Sequence, residues 1–256
     1  MHVWDPALYS RFERERTLPA ADLCRALPLT APARVLDVGC GIGNSTAVLQ
    51  ERYPSAHIVG ADLSEEMLET ARARHPGLAF IRFDASKDFA EHAGQWDVIF
   101  SNACLQWVPD HPKLLGEMMG ALRPGGALAV QIPMNQQEPI HRIIGELAAS
   151  TRWRDHFTLP RVFHTLTQEQ YFDVLAPLSS GLSLWQTTYL HRMPSHEHIM
   201  AWYRGTGLRP WLAQLSAEDA AVFEAEILQK VTKAYPRQVN GEILFRFPRF
   251  FFVATR

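Results

Sequence analysis

Cysteine is scarce in this chain: three in 256 residues, at positions 24, 40 and 104. An odd number at wide spacing excludes a disulfide framework and a zinc site, and it fits a reducing cytosol. No apolar run approaches the roughly 18 residues that a membrane span needs. An excess of one charge is also missing. The 25 Lys and Arg stand against 27 Asp and Glu, so no basic field calls for nucleic acid. Met1-His2-Val3-Trp4-Asp5-Pro6 lacks the charged and apolar regions of a signal peptide. There is no internal repeat and no low-complexity tract. His196-Glu197-His198 lacks the H-E-x-x-H spacing of a zinc helix, so no metal is expected. These absences leave a cytoplasmic chain that is 47% hydrophobic, enough to bury a large core.

What is present centres on Val35-Leu36-Asp37-Val38-Gly39-Cys40-Gly41-Ile42-Gly43-Asn44-Ser45-Thr46. Val35, Leu36 and Val38 form a short apolar run that suits a strand covered on both faces. Three alternating glycines follow, which let the chain turn sharply and bring backbone against a ligand. Ser45 and Thr46 open a helix whose N-terminus faces the crevice where open α/β sheets bind ligands. A dinucleotide fingerprint needs G-x-G-x-x-G, with the third glycine at position 44. Asn44 stands there instead, and Gly43 comes one residue earlier.

The rest of the first half alternates strand and helix. His57 to Asp62 reads as a second strand. It ends in a carboxylate about 20 residues beyond the glycine turn, where nucleotide-binding units place their ribose acceptor. Ser64 caps a helix with Glu65 and Glu66 in its first turn. Met67 on that turn suits either an adenine face or core packing. A third strand, Ala79 to Phe83, runs into Asp84-Ala85, where the carboxylate either accepts an adenine amine or caps the next turn. A fourth, Trp96 to Phe100, leads into Ser101-Asn102 and Leu105-Gln106-Trp107. A helix after Pro109 stops at Leu122-Arg123-Pro124-Gly125-Gly126, a turn signal, and a fifth strand spans Ala127 to Pro133. The alternation implies right-handed crossovers and a mostly parallel sheet.

Before this core, Ala7 to Leu27 fits one or two amphipathic helices broken near Pro19. This segment is either a solvated face over the sheet edge or a lid over a cofactor, with Tyr9 and Arg16 as its exposed candidates. After the core, helical stretches alternate with strands expected at Leu182–Met193 and Phe250–Ala254. Thr167-Gln168-Glu169-Gln170 is a capping box, and Ser195 and Ser216 each open a helix.

The order of glycine turn, Asp62, Asp84-Ala85, Ser101-Asn102 and Leu122–Gly126 resembles the class I methyltransferases that use S-adenosylmethionine, over about residues 30–133. Further segments resemble one family in that class, the trans-aconitate 2-methyltransferases. They are Trp4-Asp5-Pro6 with Tyr9, Asn44-Ser45-Thr46, Leu105-Gln106-Trp107, Met193-Pro194-Ser195-His196, Thr206 to Leu212, and Phe247-Pro248-Arg249. The resemblance implies an α/β, doubly wound, mostly parallel seven-stranded sheet of Rossmann-like methyltransferase type, with helical insertions forming a cap. It implies a single domain over 1–256: a lid at 1–29, a cofactor core at 30–133, and cap insertions at 134–181 and 194–240. It also implies that Gly39 and Gly41 line the methionine part of the cofactor, that Asp62 takes the ribose hydroxyls, that Asp84 and Ala85 meet the adenine, and that Asn102 sits near the transferred methyl. Tyr9, Arg16, Asn44, Leu63 and Met67 complete the cofactor set.

Esterifying a carboxylate requires no general base, because the acid is already ionised at neutral pH. No catalytic acid or base is therefore expected. A small polycarboxylate must instead be held by its unreacting carboxylates, which suits the planar fork of arginine. Arg209 and Arg249 are the first candidates; Arg204 and Arg192 come second. Gln106, Trp107, His191 and Tyr203 suit shape and neutral hydrogen bonds. No nucleic acid or membrane is expected as partner, and the chain is expected to be a monomer or weak homodimer. Methylation of another acid, an amine or a carrier-bound acyl group, hydride transfer with NAD, and non-catalytic cofactor binding remain as alternatives.

Overall fold

The computed structural model describes residues 13–158, 163–205 and 207–256, with residues 13–16 described by backbone alone. The chain runs through α1 (Glu13–Arg25), β1 (Arg34–Val38), α2 (Asn44–Arg52), β2 (His57–Asp62), α3 (Glu65–Arg74), β3 (Ala79–Arg82), β4 (Trp96–Asn102), α4 (His111–Ala121) and β5 (Leu122–Pro133). There follow α5 (Pro139–Ala148), α6 (Gln168–Leu175), β6 (Gly181–Met193), α7 (His196–Arg204), α8 (Arg209–Leu212), α9 (Ala217–Ala234) and β7 (Ile243–Thr255). The strands form one seven-stranded sheet in the order β3-β2-β1-β4-β5-β7-β6. β1 pairs parallel with β2 and β4, β2 with β3, and β4 with β5. β7 pairs antiparallel with β5. The order reverses between β1 and β4, and the crevice for a ligand opens outside the carboxyl ends of those two strands.

The apolar runs explain this arrangement. Val35, Leu36 and Val38 on β1, Val98, Ile99 and Phe100 on β4, and Leu128, Ala129 and Val130 on β5 are all buried, as strands covered on both faces must be. The helix N-caps fall where side chains supply them. Ser64 accepts from the Met67 N–H, Thr167 and Gln170 form the full capping box, and Ser216 accepts from the Asp219 N–H.

Contacts group the chain into two compact units. Among the described residues, the sheet unit holds 16–133, 163–187 and 249–256; the helical unit holds 13–15, 134–158, 188–205 and 207–248. Within the helical unit α9 packs on α5 and α7, burying Phe223, Ile227 and Val231. The stretch 163–187 groups with the sheet unit. The cause is Tyr171 on α6, which is fully buried and packs on Phe250 and Phe252 at ring distances of 5.5 and 5.6 Å.

Three local readings are corrected. α1 runs through Pro19 rather than breaking there. The lost hydrogen bond is offset by burial of Ala20, Leu23, Cys24 and Leu27. The Pro124-Gly125 signal lies inside β5: Leu122 pairs with Trp96 and Ala127 with Val98, so the residues between them loop out of the ladder as a bulge. β7 begins at Ile243, seven residues before the expected strand. Its early half alternates buried Ile243, Phe245 and Phe247 with Leu244 and Arg246, a two-residue period obscured by Pro248.

Candidate active site

The glycine turn leaves β1 with Gly39, Gly41 and Gly43 at φ of 73°, 55° and 92°, a region that favours glycine. The Gly39 and Cys40 N–H groups both donate to the Ala61 carbonyl, at 2.7 and 3.0 Å, which ties the turn to β2. A Cβ on Gly39 would stand 2.2 Å from Cβ and Sγ of Cys104, so that glycine is required by packing. A Cβ on Gly41 would meet nothing within 4 Å. Gly41 therefore borders open space, as a backbone cradle for a ligand must.

Asp37 lies wholly buried beneath this turn. Its Oδ2 accepts from Ser45 Oγ at 2.7 Å and Thr46 Oγ1 at 2.6 Å, while Oδ1 is buried without a partner. Burial pushes its carboxyl up to about 6, against the opposing pull of the Thr46 and Ser45 hydroxyls. At the end of β2, Asp62 accepts from the Gly41 N–H through Oδ2 and from the Ser64 N–H through Oδ1, both at 2.9 Å. Each oxygen keeps a second lone pair for a hydroxyl donor. Beside it Leu63 is 56% exposed, a large apolar side chain at the surface. Met67 is half-buried on the next turn, and Asn44 opens α2. At the end of β3 Ala85 is buried. Asp84 Oδ1 accepts from the Ser86 hydroxyl at 2.6 Å and the Ser86 N–H at 3.0 Å, and Oδ2 lies 3.0 Å from Lys87 Nζ. The Ser86 hydroxyl and Lys87 hold the Asp84 carboxyl down at about 2.

Asn102 ends β4 with its Oδ1 buried and without a partner among the described residues. The next residue, Ala103, takes φ 58°, a left-handed conformation costing about 1–2 kcal/mol for a residue with a Cβ. It turns the chain into the short 3₁₀ segment Leu105–Trp107. Gln106 is buried; its Nε2 donates to the Ala103 carbonyl at 2.7 Å and its Oε1 has no partner. Trp107 is half-exposed and faces Phe163 at 5.4 Å. Arg249 on β7 is buried, and its Nη1 donates to Oε1 of Gln131 on β5 at 2.9 Å.

Sequence reasoning missed two contributors here. Gln131 is a lone polar residue in the apolar run of β5 and is fully buried; that interruption was the available signal. His111 and Tyr171 are 60 residues apart and left none. His111 Nδ1 lies 2.5 Å from the Tyr171 hydroxyl and its Nε2 lies 2.8 Å from the Leu105 carbonyl. A carbonyl only accepts, so Nε2 carries the proton and Nδ1 accepts from the tyrosine. Burial lowers the His111 pKa, which keeps the ring neutral and the Leu105–Trp107 segment anchored.

The remaining candidates lie in the helical unit. His191 is buried, with its ring 5.0 Å from Trp202. Tyr203 is buried, and its hydroxyl accepts from Asn135 Nδ2 at 3.4 Å. Arg204 Nε lies 2.5 Å from Glu224 Oε1, and Arg192 Nη2 lies 2.8 Å from Glu242 Oε2. Arg209 opens α8 and is half-exposed. His196 Nε2 donates to the Tyr235 carbonyl at 2.8 Å, while His198 Nδ1 faces Ser195 Oγ at 3.1 Å, so the two rings serve separate partners. Tyr9 and the Arg16 side chain lie outside the described residues.

Strand order, glycine turn and the two strand-end carboxylates define a methyltransferase built on a Rossmann-like sheet, and a methyltransferase-domain family profile matches residues 35–126. The YcgJ protein of Bacillus shares the fold at a TM-score of 0.62 and 16% identity, over 93% of this chain and 98% of that one. A trans-aconitate 2-methyltransferase of Methylobacterium radiotolerans is 46% identical over 100% of this chain and 99% of its own length. One from Acidovorax ebreus is 44% identical over 100% and 99%. The chain belongs to the trans-aconitate 2-methyltransferase family.

Proposed function

We propose that this S-adenosylmethionine-dependent methyltransferase esterifies one carboxylate of trans-aconitate, giving the monomethyl ester and S-adenosylhomocysteine. When bound, the cofactor supplies an electrophilic methyl group carried on a sulfonium. The residues fit such a cation: open space over Gly41, lone pairs on Asp62, the exposed face of Leu63, and the buried, partnerless oxygens of Asn102 and Asp37. Gly39, Gly41 and Asn44 border the methionine part, Asp62 accepts from the ribose hydroxyls, Met67 and Leu63 cover the adenine beside Asp84 and Ala85, and Asn102 faces the methionine end.

The acid is ionised at neutral pH, so no side chain needs to take a proton. The protein's work is alignment and dryness. Alignment of two reactants is worth on the order of 7–11 kcal/mol in favourable cases, and removing water strengthens the attraction of carboxylate for cation. The observation that carries an acidic substrate is Arg249, an arginine 4% exposed whose guanidinium is held by a neutral amide on the neighbouring strand. Such a fork binds a carboxylate with two parallel hydrogen bonds. Gln106 and Trp107 shape the same edge of the sheet. Within the helical unit, Arg209, His191 and Tyr203 are the side chains whose chemistry suits a carboxylate. None of the three cysteines is in a disulfide and no helix among the described residues is long and apolar enough to cross a membrane. These facts fit a cytoplasmic enzyme, which we read as a monomer or weak homodimer.

Mass spectrometry of trans-aconitate, cis-aconitate and citrate after incubation with methyl-labelled cofactor tests the reading. A labelled monomethyl ester from trans-aconitate is expected. Labelling of another acid, or of an amine, with trans-aconitate untouched would displace the substrate and keep the chemistry.

A further inference from the structure

We propose that Gln131 is a specificity-determining residue: together with Arg249 it holds a substrate carboxylate that does not react. The proposal rests on the acid-methylating reading above and adds a residue that reading leaves out.

Gln131 is fully buried near the carboxyl end of β5, in a run otherwise made of Ala, Leu, Val and Ile. Its backbone is fixed from both sides. Its Cα pairs with Asn102 on β4 and with Phe251 on β7, and its carbonyl accepts from the Ala103 N–H at 3.0 Å. Its side chain is oriented by Arg249. A guanidinium donates and never accepts, so the amide atom 2.9 Å from Arg249 Nη1 must be Oε1. Oε1 is thereby committed to Arg249, and the Nε2 donor of the same amide is buried with no partner among the described residues. A buried amide donor left unmet is rare in a native fold and calls for an acceptor supplied from elsewhere.

The neighbouring strand indicates what that acceptor is. Asn102 stands beside Gln131 in the β4–β5 register, and its Oδ1 is an acceptor without a partner. Donor and acceptor lie side by side on adjacent strands and do not bond to each other. This arrangement separates two ligand chemistries: the Asn102 oxygen suits a group that donates or is cationic, while the Gln131 N–H suits an anion. Arg249 lies on the Gln131 side, opposite Pro133 in the β5–β7 register. The pair Gln131 Nε2 and Arg249 guanidinium is therefore a two-donor seat for a carboxylate, next to the strand end assigned to the methyl donor. A neutral amide suits this role better than a carboxylate would, because it orients the arginine without cancelling its charge.

Gln131→Glu keeps the size of the side chain, removes the donor and sets a carboxylate against Arg249. With the protein saturated in S-adenosylhomocysteine, calorimetric titration of trans-aconitate should show acid affinity lower by about 10- to 100-fold. Affinity for S-adenosylhomocysteine itself should stay within about twofold, which also shows that the variant is folded. In turnover the Michaelis constant for the triacid should rise with kcat within about threefold, and the preference for the triacid over a dicarboxylic acid should shrink. Gln131→Met removes donor and acceptor without adding charge, and serves as the second variant if the first fails to fold; the same directions are expected. Unchanged acid affinity in either folded variant, or cofactor affinity falling in step with acid affinity, overturns the proposal. Wild-type protein that binds S-adenosylhomocysteine but esterifies no polycarboxylate overturns the functional reading, and the subsite with it.

Discussion

At the carboxyl edge of the sheet, Asp37 Oδ1, Asn102 Oδ1, Gln106 Oε1 and Gln131 Nε2 are buried without partners among the described residues. In the helical unit, Arg152, Arg192 and Arg204 each face a glutamate, at 2.6, 2.8 and 2.5 Å. The two sets carry opposite energetics. A buried polar atom left unmet costs about 1–3 kcal/mol, whereas a surface ion pair contributes roughly 0–1 kcal/mol. The contrast is between the carboxyl edge of the sheet, where a ligand with matching groups would relieve that cost, and α7 and α9, whose charges are paired at the surface.

The largest expected effect tests whether the glycines of the turn divide in the same way. Gly39→Ala combines a positive φ with a Cβ 2.2 Å from Cys104, and should lower stability by roughly 3 kcal/mol in denaturant unfolding. Gly41→Ala meets open space and should lose only about 1–2 kcal/mol from backbone strain, with a clear fall in cofactor affinity. Equal destabilisation by both would erase the distinction.

Arginines sharpen the comparison next. Arg249→Ala should raise the Michaelis constant for the triacid on the order of 100-fold, the cost of losing a charged, bidentate contact. Arg204→Ala should change stability by about 1 kcal/mol or less and leave that constant alone, since its guanidinium serves Glu224. A large kinetic effect at Arg204 with none at Arg249 would reverse the assignment. Asp62→Ala comes third: loss of a charged acceptor should weaken cofactor binding by about 1–3 kcal/mol in calorimetry. Asp62→Asn, which keeps one acceptor oxygen, should lose less.

The smallest effect concerns pH. The Asp37 carboxyl sits at about 6 in the folded chain, above its ordinary 3.8. Its protonated form therefore favours the fold: that contribution is complete below about pH 4 and is lost as pH rises through 6. A cationic ligand favours the ionised form instead, so cofactor binding should release a proton near pH 6, release none at pH 8, and strengthen as pH rises between them. Calorimetry in buffers of different ionisation enthalpy measures the release directly, and Asp37→Asn should abolish it.

The glycine turn and the strand-end residues were legible in the sequence because their signals are local. The Gly39–Gly43 turn, Asp62 and Asn102 each follow an apolar strand within a few residues, and a strand-end position in a parallel sheet faces the crevice. What escaped depends on partners far along the chain. Gln131 meets Arg249 across 118 residues, and His111 meets Tyr171 across 60. Arg204 reads as a substrate candidate in the sequence, and its ion pair with Glu224, 20 residues on, appears only in the fold. Two fold errors share one cause. Pro19 and the Pro124-Gly125 pair read as breaks in the sequence, yet the helix runs through the first and β5 absorbs the second as a bulge.

The most direct test is a crystal structure of the chain with S-adenosylhomocysteine and trans-aconitate. The ribose hydroxyls should lie on Asp62, the methionine end beside Asn102, and one carboxylate of the acid on Gln131 and Arg249, quenching the orphaned atoms of the sheet edge. An adenosyl group seated elsewhere, or an acid bound away from both residues, would contradict the account.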